Sequence, residues 1–214
     1  MVGGVPSVAP MDENTGTRPD QPEPTIPLSG PTPPSSLVPP SGRAADGRWT
    51  TNGRPHSSTS LTPFVVVPDA NGAIEFYRDV FGARVVDVTR FGDVVAHAVL
   101  DLGQGLLQLG DAVPDYHLVL PPAGDDDCYS LGLYVPDVDA VVEAAVEAGA
   151  TLREPATDFV SGDRYASIRD PFGVRWSIMT RVEDLSDEES TRRVAAWAAE
   201  MAAQQADGVA ADER

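Results

Sequence analysis

The stretch Val67-Pro68-Asp69-Ala70-Asn71-Gly72-Ala73-Ile74-Glu75-Phe76-Tyr77 decides the fold, because its pattern returns 68 residues later. The second copy begins at Val135-Pro136-Asp137 and continues into Ala140-Val141-Val142. Each copy is followed by a Gly-Ala pair, which is Gly82-Ala83 in the first and Gly149-Ala150 in the second. One pattern repeated at a nearly constant spacing predicts two copies of the same structural unit.

Each copy has the sequence features of a strand, a helix and three further strands. An apolar run precedes each Pro-Asp pair, at 61–67 and 129–135, and Pro-Asp both ends a strand and supplies an N-cap. Ile74, Tyr77 and Phe81 then recur at helical spacing, as the valines after Asp137 do. The sequence therefore predicts an α+β fold of two βαβββ modules. The further strands are expected near 84–89, 94–102, 106–109, 151–154, 165–169 and 175–179.

Composition divides the chain into a tail, a domain and a last helix. Residues 1–60 contain 12 of the 20 prolines and almost no periodic apolar pattern, which predicts a disordered Pro/Ser/Gly-rich tail. The domain is expected at 61–182, with modules at 61–111 and 128–180. A C-terminal helix is predicted over 186–205.

The predicted last helix has a start signal and an apolar stripe. Ser186 and Glu189 have the spacing of a capping box. Val194, Trp197 and Met201 share one face of the helix that follows. Such a stripe is expected to pack against the domain or against a second subunit.

Charge and cysteine content exclude several kinds of partner. The formal charge is −18, and all 15 basic residues are arginines, which disfavours nucleic acid and anionic lipid. No apolar run approaches the roughly 20 residues that span a bilayer. The single cysteine, Cys128, fits a reducing cytoplasm and is interpreted as a packing residue. Asp125-Asp126-Asp127 is interpreted as a solvated loop between the modules rather than as a cation site.

The order of several motifs resembles the glyoxalase/bleomycin-resistance/dioxygenase (vicinal oxygen chelate) superfamily, and within it the glyoxalase-like branch named after phosphonate-operon proteins. The resemblance covers roughly residues 61–200. It predicts the fold, but a fold does not determine which reaction, if any, a protein catalyses. Besides Val67-Pro68-Asp69, the motifs are Ala73–Tyr77, Phe81–Ala83, His97-Ala98, Val135–Ala140, Glu147–Ala150, Gly162–Tyr165 and Asp170–Trp176.

The resemblance implies an incomplete barrel with a central cavity, in which metal-dependent members place four metal ligands. Aligning the motifs puts those four positions at Thr62, Gln108, Ser130 and Ser177. None is a histidine or a carboxylate, whereas divalent transition metals need imidazole, thiolate or carboxylate donors. The sequence therefore predicts neither a bound metal nor any other cofactor.

Strand alternation predicts which side chains line the cavity. His97 is a candidate general base or a hydrogen-bonded structural histidine, and no catalytic residue is assigned. Arg175 is a candidate for holding a carboxylate or phosphonate, or for a salt bridge to Asp170 or Asp101. Trp176 and Ile178 are expected in the core, as are Ala96, Ala98, Leu100 and Leu102. The ligand-binding candidates are Thr62, Phe64, His97, Gln108, Ser130, Tyr134, Arg175 and Ser177.

These features favour a metal-free protein that binds a small organic molecule and forms a homodimer, as related proteins commonly do. The first alternative is a metal-dependent lyase, isomerase or dioxygenase of the same superfamily, with its metal ligands elsewhere. A third hypothesis is an interaction protein that acts through its tail and its last helix.

Overall fold

The structure, a computed structural model, describes residues 44–212 and the side chains of residues 44–204. Residues 1–43 of the predicted tail lie outside this range, so the prediction of a disordered tail stays a prediction. Within residues 44–60 a two-stranded hairpin pairs β1 (Thr50–Thr51) with β2 (Arg54–Pro55).

The predicted fold class is confirmed, because each half of the domain is a βαβββ module. Each module forms a four-stranded sheet in which the first and last strands are parallel neighbours. The strand orders are β3-β6-β5-β4 and β7-β10-β9-β8, and the two sheets share no ladder within residues 44–212, so no closed barrel forms there. Module 1 comprises β3 (Phe64–Val67), α1 (Ala70–Phe81), β4 (Arg84–Phe91), β5 (Val94–Asp101) and β6 (Leu106–Asp111). Module 2 comprises β7 (Ser130–Tyr134), α2 (Val138–Glu147), β8 (Thr151–Asp158), β9 (Asp163–Arg169) and β10 (Arg175–Arg181), and α3 (Asp187–Asp212) follows.

The repeated Pro-Asp pair starts both module helices in the same way. Asp69 and Asp137 each accept a hydrogen bond from the backbone N–H three residues ahead, at 3.0 and 3.1 Å. The last strand of each module adds a second cap, because Asp111 and Thr180 accept from the first backbone N–H of α1 and α2 at 2.9 and 2.8 Å. Gly82 ends α1 at a φ of 67°, which favours glycine. The sequence repeat is therefore a repeat of local hydrogen bonding.

A buried carboxylate, Asp170, joins the two modules. Its Oδ2 accepts a hydrogen bond from the Tyr77 hydroxyl on α1 at 2.6 Å and from Trp176 Nε1 on β10 at 2.9 Å. Its Oδ1 accepts from the backbone N–H groups of Phe172 and Val174, each at 2.9 Å. Burial raises the pKa of the Asp170 carboxyl, against these four donors, which lower it. One side chain thus fixes α1 against the turn between β9 and β10.

Aromatic rings surround this carboxylate. Tyr77 and Phe81 stack at a centroid distance of 5.7 Å, and Phe81 meets Trp176 edge-on at 4.8 Å. Tyr77 and Trp176 are both almost fully buried and lie 5.4 Å apart. The apolar rings exclude water from the hydrogen bonds to Asp170, which strengthens those bonds.

Two expectations about packing are corrected. Val95 is fully buried while Ala96 is half-exposed, because the β4–β5 ladder shifts register between Thr89 and Arg90 and the alternation changes phase there. Cys128 was expected to pack in the interior, but it is exposed two residues before β7 begins.

The last helix begins as predicted, since Ser186 accepts from the backbone N–H of Glu189 at 3.2 Å. The Glu189 carboxylate pairs with Arg192 and Arg193 instead of closing a capping box. Trp197 packs edge-on against Phe159 at 5.1 Å and stays 39% exposed. No helix in the described part of the chain is long and apolar enough to cross a membrane.

The hydrogen bonds to Asp170 should dominate the cost of mutations at the junction of the modules. Asp170→Asn replaces one acceptor oxygen with a donor that faces existing donors, so we expect a loss of about 3 kcal/mol in the free energy of unfolding. Tyr77→Phe removes one hydroxyl from a charged acceptor and should cost about 2 kcal/mol. Urea unfolding at pH 7 measures both values.

The matched control is Tyr165→Phe. The Tyr165 hydroxyl reaches only an exposed Glu154 oxygen at 3.4 Å, so its removal should change stability by less than about 0.5 kcal/mol. Equal losses for Tyr77→Phe and Tyr165→Phe would show that Asp170 does not join the modules.

Candidate functional site

Four of the predicted site residues gather on one face of module 1. Phe64 lies opposite Gln108 in the parallel β3–β6 ladder, and its ring stacks on the His97 imidazole with centroids 6.0 Å apart. Thr62 precedes β3, and its hydroxyl hydrogen-bonds to that of Thr59 at 2.7 Å. All four side chains are half-buried. Among the side chains of residues 44–204 none hydrogen-bonds to the His97 ring, so its neighbour is the Phe64 ring rather than an orienting acid.

The equivalent face of module 2 carries Ser130, Ser177 and Arg175. The hydroxyl oxygens of Ser130 and Ser177 are 2.8 Å apart, so each satisfies the other. Ser177 lies opposite Gly132 in the β10–β7 ladder, as Gln108 lies opposite Phe64 in module 1. Positions that correspond in the sequence repeat therefore occupy corresponding places in the two sheets.

The structure corrects the expected salt bridge of Arg175. Its Nη2 pairs with Glu154 Oε1 at 2.6 Å, and its Nε donates to the Ser167 hydroxyl at 3.0 Å. The predicted partners are engaged elsewhere, since Asp101 pairs with Arg84 at 2.6 Å and Asp170 is buried beside Tyr77. Glu154 lies on β8, which pairs with β9, so its side chain can reach the Arg175 guanidinium from that side of the sheet.

Tyr134 stands at the end of β7 with its side chain 57% exposed. Its hydroxyl donates to Asp163 Oδ1 at 3.3 Å. Asp163 is itself buried and accepts from Ser161 at 2.7 Å and from Arg181 Nε at 2.8 Å. This anchor holds the Tyr134 ring at the open edge of the sheet.

A cavity of about 720 Å³ lies between β7, the β5–β6 turn and the segment before β3. Of the eight predicted site residues, only Ser130 and Tyr134 line it among the described residues. Most of the side chains in its wall are apolar, and the sequence patterns did not predict them. Strand alternation assigned one face of β7 to the cavity, whereas β7 is an edge strand and both of its faces reach it. Trp176 is buried in the core, as strand alternation predicts, and it also borders the cavity. The apolar side chains of the wall are Leu61, Pro63, Leu102, Leu106, Leu107, Leu131, Leu133 and Trp176.

The residues at the four family metal-ligand positions do not fit a metal centre. Two of them, Thr62 and Gln108, belong to module 1, and the other two, Ser130 and Ser177, belong to module 2. Three hydroxyls and one amide are weak, neutral donors for a divalent transition metal. Among the side chains that the structure describes, those of residues 44–204, no group of three or more His, Cys, Asp and Glu is placed to hold a metal ion.

The fold and the site define the class of protein: paired βαβββ modules beside an open, largely apolar cavity, with neutral side chains at the expected ligand positions. Residues 59–178 match the model of the Glyoxalase/Bleomycin resistance protein/Dioxygenase superfamily. The chain belongs to this superfamily, and the resemblance seen in its motifs is confirmed.

Comparison with individual proteins identifies several relatives. An uncharacterised protein of Mycobacterium bovis is 34% identical over 137 residues, which cover 61% of this chain and 88% of that protein. A 2-epi-5-epi-valiolone epimerase of Actinomyces is 28% identical over 149 residues, covering 58% of this chain and 80% of the epimerase. Among solved structures, TioX from Micromonospora is 26% identical with a TM-score of 0.47, covering 58% of this chain and 99% of TioX.

The donor chemistry leads to a prediction about metals. Adding Zn, Ni, Mn or Fe at micromolar concentration should leave the melting temperature unchanged. A site of nanomolar affinity would instead add roughly 4 kcal/mol of stability at a thousandfold excess of free metal over Kd, which a thermal scan detects.

His97→Ala is the informative variant for this test, since His97 is the imidazole on the candidate face. A saturable shift in the wild type that is lost in His97→Ala would show a metal site built around His97 and would contradict the donor argument.

Proposed function

We propose that this protein binds a small organic molecule in the cavity beside β7, and that it does so without a metal ion. The main support for this proposal is the cavity itself. Its volume of about 720 Å³ lies within the range of small-molecule sites, and six leucines are among the residues of its wall. A ligand with a substantial apolar part fits such a wall.

The cavity also offers a few polar groups that can orient a ligand. The Ser130 hydroxyl and the Tyr134 side chain lie along its rim. β7 pairs with β10 on one side, and among the described strands none pairs with its other side. The backbone N–H and C=O groups on that free side face the cavity region and supply further donors and acceptors. A partly apolar ligand with one or two polar atoms matches this arrangement.

The alternative, a metal-dependent enzyme of the same superfamily, is less well supported. Similarity to an epimerase at 28% identity suggests that alternative. However, the positions that would hold the metal carry Thr62, Gln108, Ser130 and Ser177, whose neutral oxygens do not compete well with water for a divalent ion. The side chains present favour binding over metal-assisted chemistry.

The proposal predicts that filling the cavity abolishes binding. Gly132 lies in the cavity wall, and a Cβ added there would meet Met179 Cε at 3.5 Å, an ordinary contact. Gly132→Phe should therefore fold and block the cavity. With 8-anilinonaphthalene-1-sulfonate as the fluorescent probe, we expect saturable binding to the wild type and a loss of about tenfold or more in the variant, since about 1.4 kcal/mol is a factor of ten.

Gly47→Phe is the matched control. A Cβ at Gly47 meets no atom within 4 Å, and Gly47 does not line the cavity, so this variant adds the same ring elsewhere. It should bind the probe as the wild type does. Equal probe binding by Gly132→Phe and Gly47→Phe would contradict the assignment of the cavity.

We further propose that the protein is a homodimer. β3 and β7 are edge strands of their sheets, and the face that carries Phe64, His97 and Gln108 is half-exposed. Unpaired strand edges and open apolar faces are commonly covered by a second subunit. Trp197 offers less apolar surface to a second subunit than its sequence pattern indicates, because its ring already packs on Phe159.

Sedimentation equilibrium at micromolar concentration tests the assembly. The expected mass is twice that of the 22.6 kDa chain. A single species at the mass of one chain would show that the open face is not covered by a second copy.

A further inference from the structure

Three arginines converge at one end of the module 2 sheet, although the chain carries a net charge of −18. Arg153 lies on β8, Arg169 ends β9 and Arg175 begins β10. Arg169 and Arg175 are cross-strand partners, so their side chains leave the sheet on the same face. The three side chains are only 18%, 19% and 31% exposed. We call these three residues the arginine triad.

The segment between the modules lies over the arginine triad. This strap, residues 123–128, has no regular secondary structure. Arg153 Nη2 donates to the Asp125 carbonyl at 2.7 Å, and Arg169 Nη1 donates to the Gly124 carbonyl at 2.8 Å. The strap is thus held by guanidinium groups.

Asp127 was expected in a solvated loop, but its side chain is only 8% exposed and points among the three arginines. Its carboxylate lies 3.6 Å from Arg153 Nε, 3.4 Å from Arg169 Nε and 3.9 Å from Arg175 Nη1. These distances are long for charge-assisted hydrogen bonds. Asp127 Oδ1 and Arg153 Nε are both buried without a hydrogen-bond partner among the described residues.

Two of the three guanidinium groups also pair with more exposed carboxylates, Arg153 with Asp125 at 2.8 Å and Arg175 with Glu154 at 2.6 Å. Between the arginines, a buried carboxylate that leaves its own oxygen and a guanidinium N–H unsatisfied is a poor occupant. Arginine forks bind carboxylate and phosphate groups well when two N–H groups reach two oxygens at 2.7–2.9 Å. A free oxyanion can adjust its position to satisfy these donors, whereas the Asp127 carboxylate is tied to its backbone. The geometry therefore favours exchange of the internal carboxylate for an external one.

We propose that the arginine triad binds a small oxyanion group, a carboxylate or a phosphate or phosphonate, and that Asp127 occupies this site as a displaceable internal substitute. Binding then releases the strap, because the anion takes over the guanidinium groups that hold it. Among the described residues that line the cavity none is an arginine, so the site is separate from it. The inference does not depend on the proposed function.

The first test measures anion binding by titration calorimetry at constant ionic strength, with sodium chloride as the balancing salt. Inorganic phosphate and acetate are the two probes, and they distinguish a phosphate-like from a carboxylate preference. Asp127→Ala removes the internal carboxylate and should bind at least one probe about tenfold or more tightly than the wild type. The reason is that no internal carboxylate then competes with the probe for the three arginines. Asp126→Ala removes the neighbouring carboxylate, which forms no ion pair within the described residues, and should behave as the wild type does.

Arg169→Gln in the Asp127→Ala background should abolish the gained affinity, with circular dichroism confirming that the variant folds. If Asp127→Ala binds neither probe more tightly than Asp126→Ala does, the Asp127 cluster is a structural ion pair only and the proposal is overturned. Equal binding with and without Arg169→Gln would overturn it too.

The second test follows the strap directly. Cys128 is the single cysteine of the chain, lies next to Asp127 and is exposed, so a nitroxide label can be attached there alone. The electron paramagnetic resonance spectrum of the labelled wild type should gain a mobile component that saturates with the probe bound in the calorimetric test. Tight binding without any gain in mobility would show that the strap does not open.

Discussion

The Asp170 carboxylate is the interaction on which the arrangement of the domain depends. It is almost fully buried and accepts hydrogen bonds from α1 in module 1 and from β10 in module 2. A buried carboxylate is stable only when its oxygens are fully hydrogen-bonded, so α1 and β10 must keep these positions. Trp176 gives the carboxylate its indole N–H and also lines the cavity. The same contact that joins the modules therefore fixes part of the cavity wall.

The sequence predicted those features that depend on local hydrogen bonding and on strand alternation. The repeated Pro-Asp pair located both helices, because an aspartate N-cap acts within three residues of the chain. Phe64 and Gln108, both assigned to the cavity side by alternation, lie opposite each other in the β3–β6 ladder. Ser130 and Ser177, which the motif alignment put among the same four positions, have hydroxyls 2.8 Å apart. Asp127 was misassigned because its surroundings come from distant segments, since arginines on three separate strands bury it. No local pattern carries that information.

Module 2 presents two neighbouring regions of different character. The cavity beside β7 is largely apolar, whereas the region under the strap holds the arginine triad with its carboxylate partners Asp125, Asp127 and Glu154. They approach each other at one point, since Arg175 lies directly opposite Ser130, which lines the cavity. Membership of the superfamily does not fix the function, which depends on the side chains that line the cavity. In this chain, hydroxyls and an amide stand at the four positions where metal-dependent members would carry ionisable donors.

The central claim is that the cavity holds an organic ligand and no metal. Native mass spectrometry of protein purified without chelator tests it most directly, because the mass difference between the bound and stripped forms identifies the occupant. We expect an added mass of a small organic molecule that is missing from Gly132→Phe, and no metal adduct. A stoichiometric metal adduct that survives gentle desolvation and is removed by a chelator would contradict it.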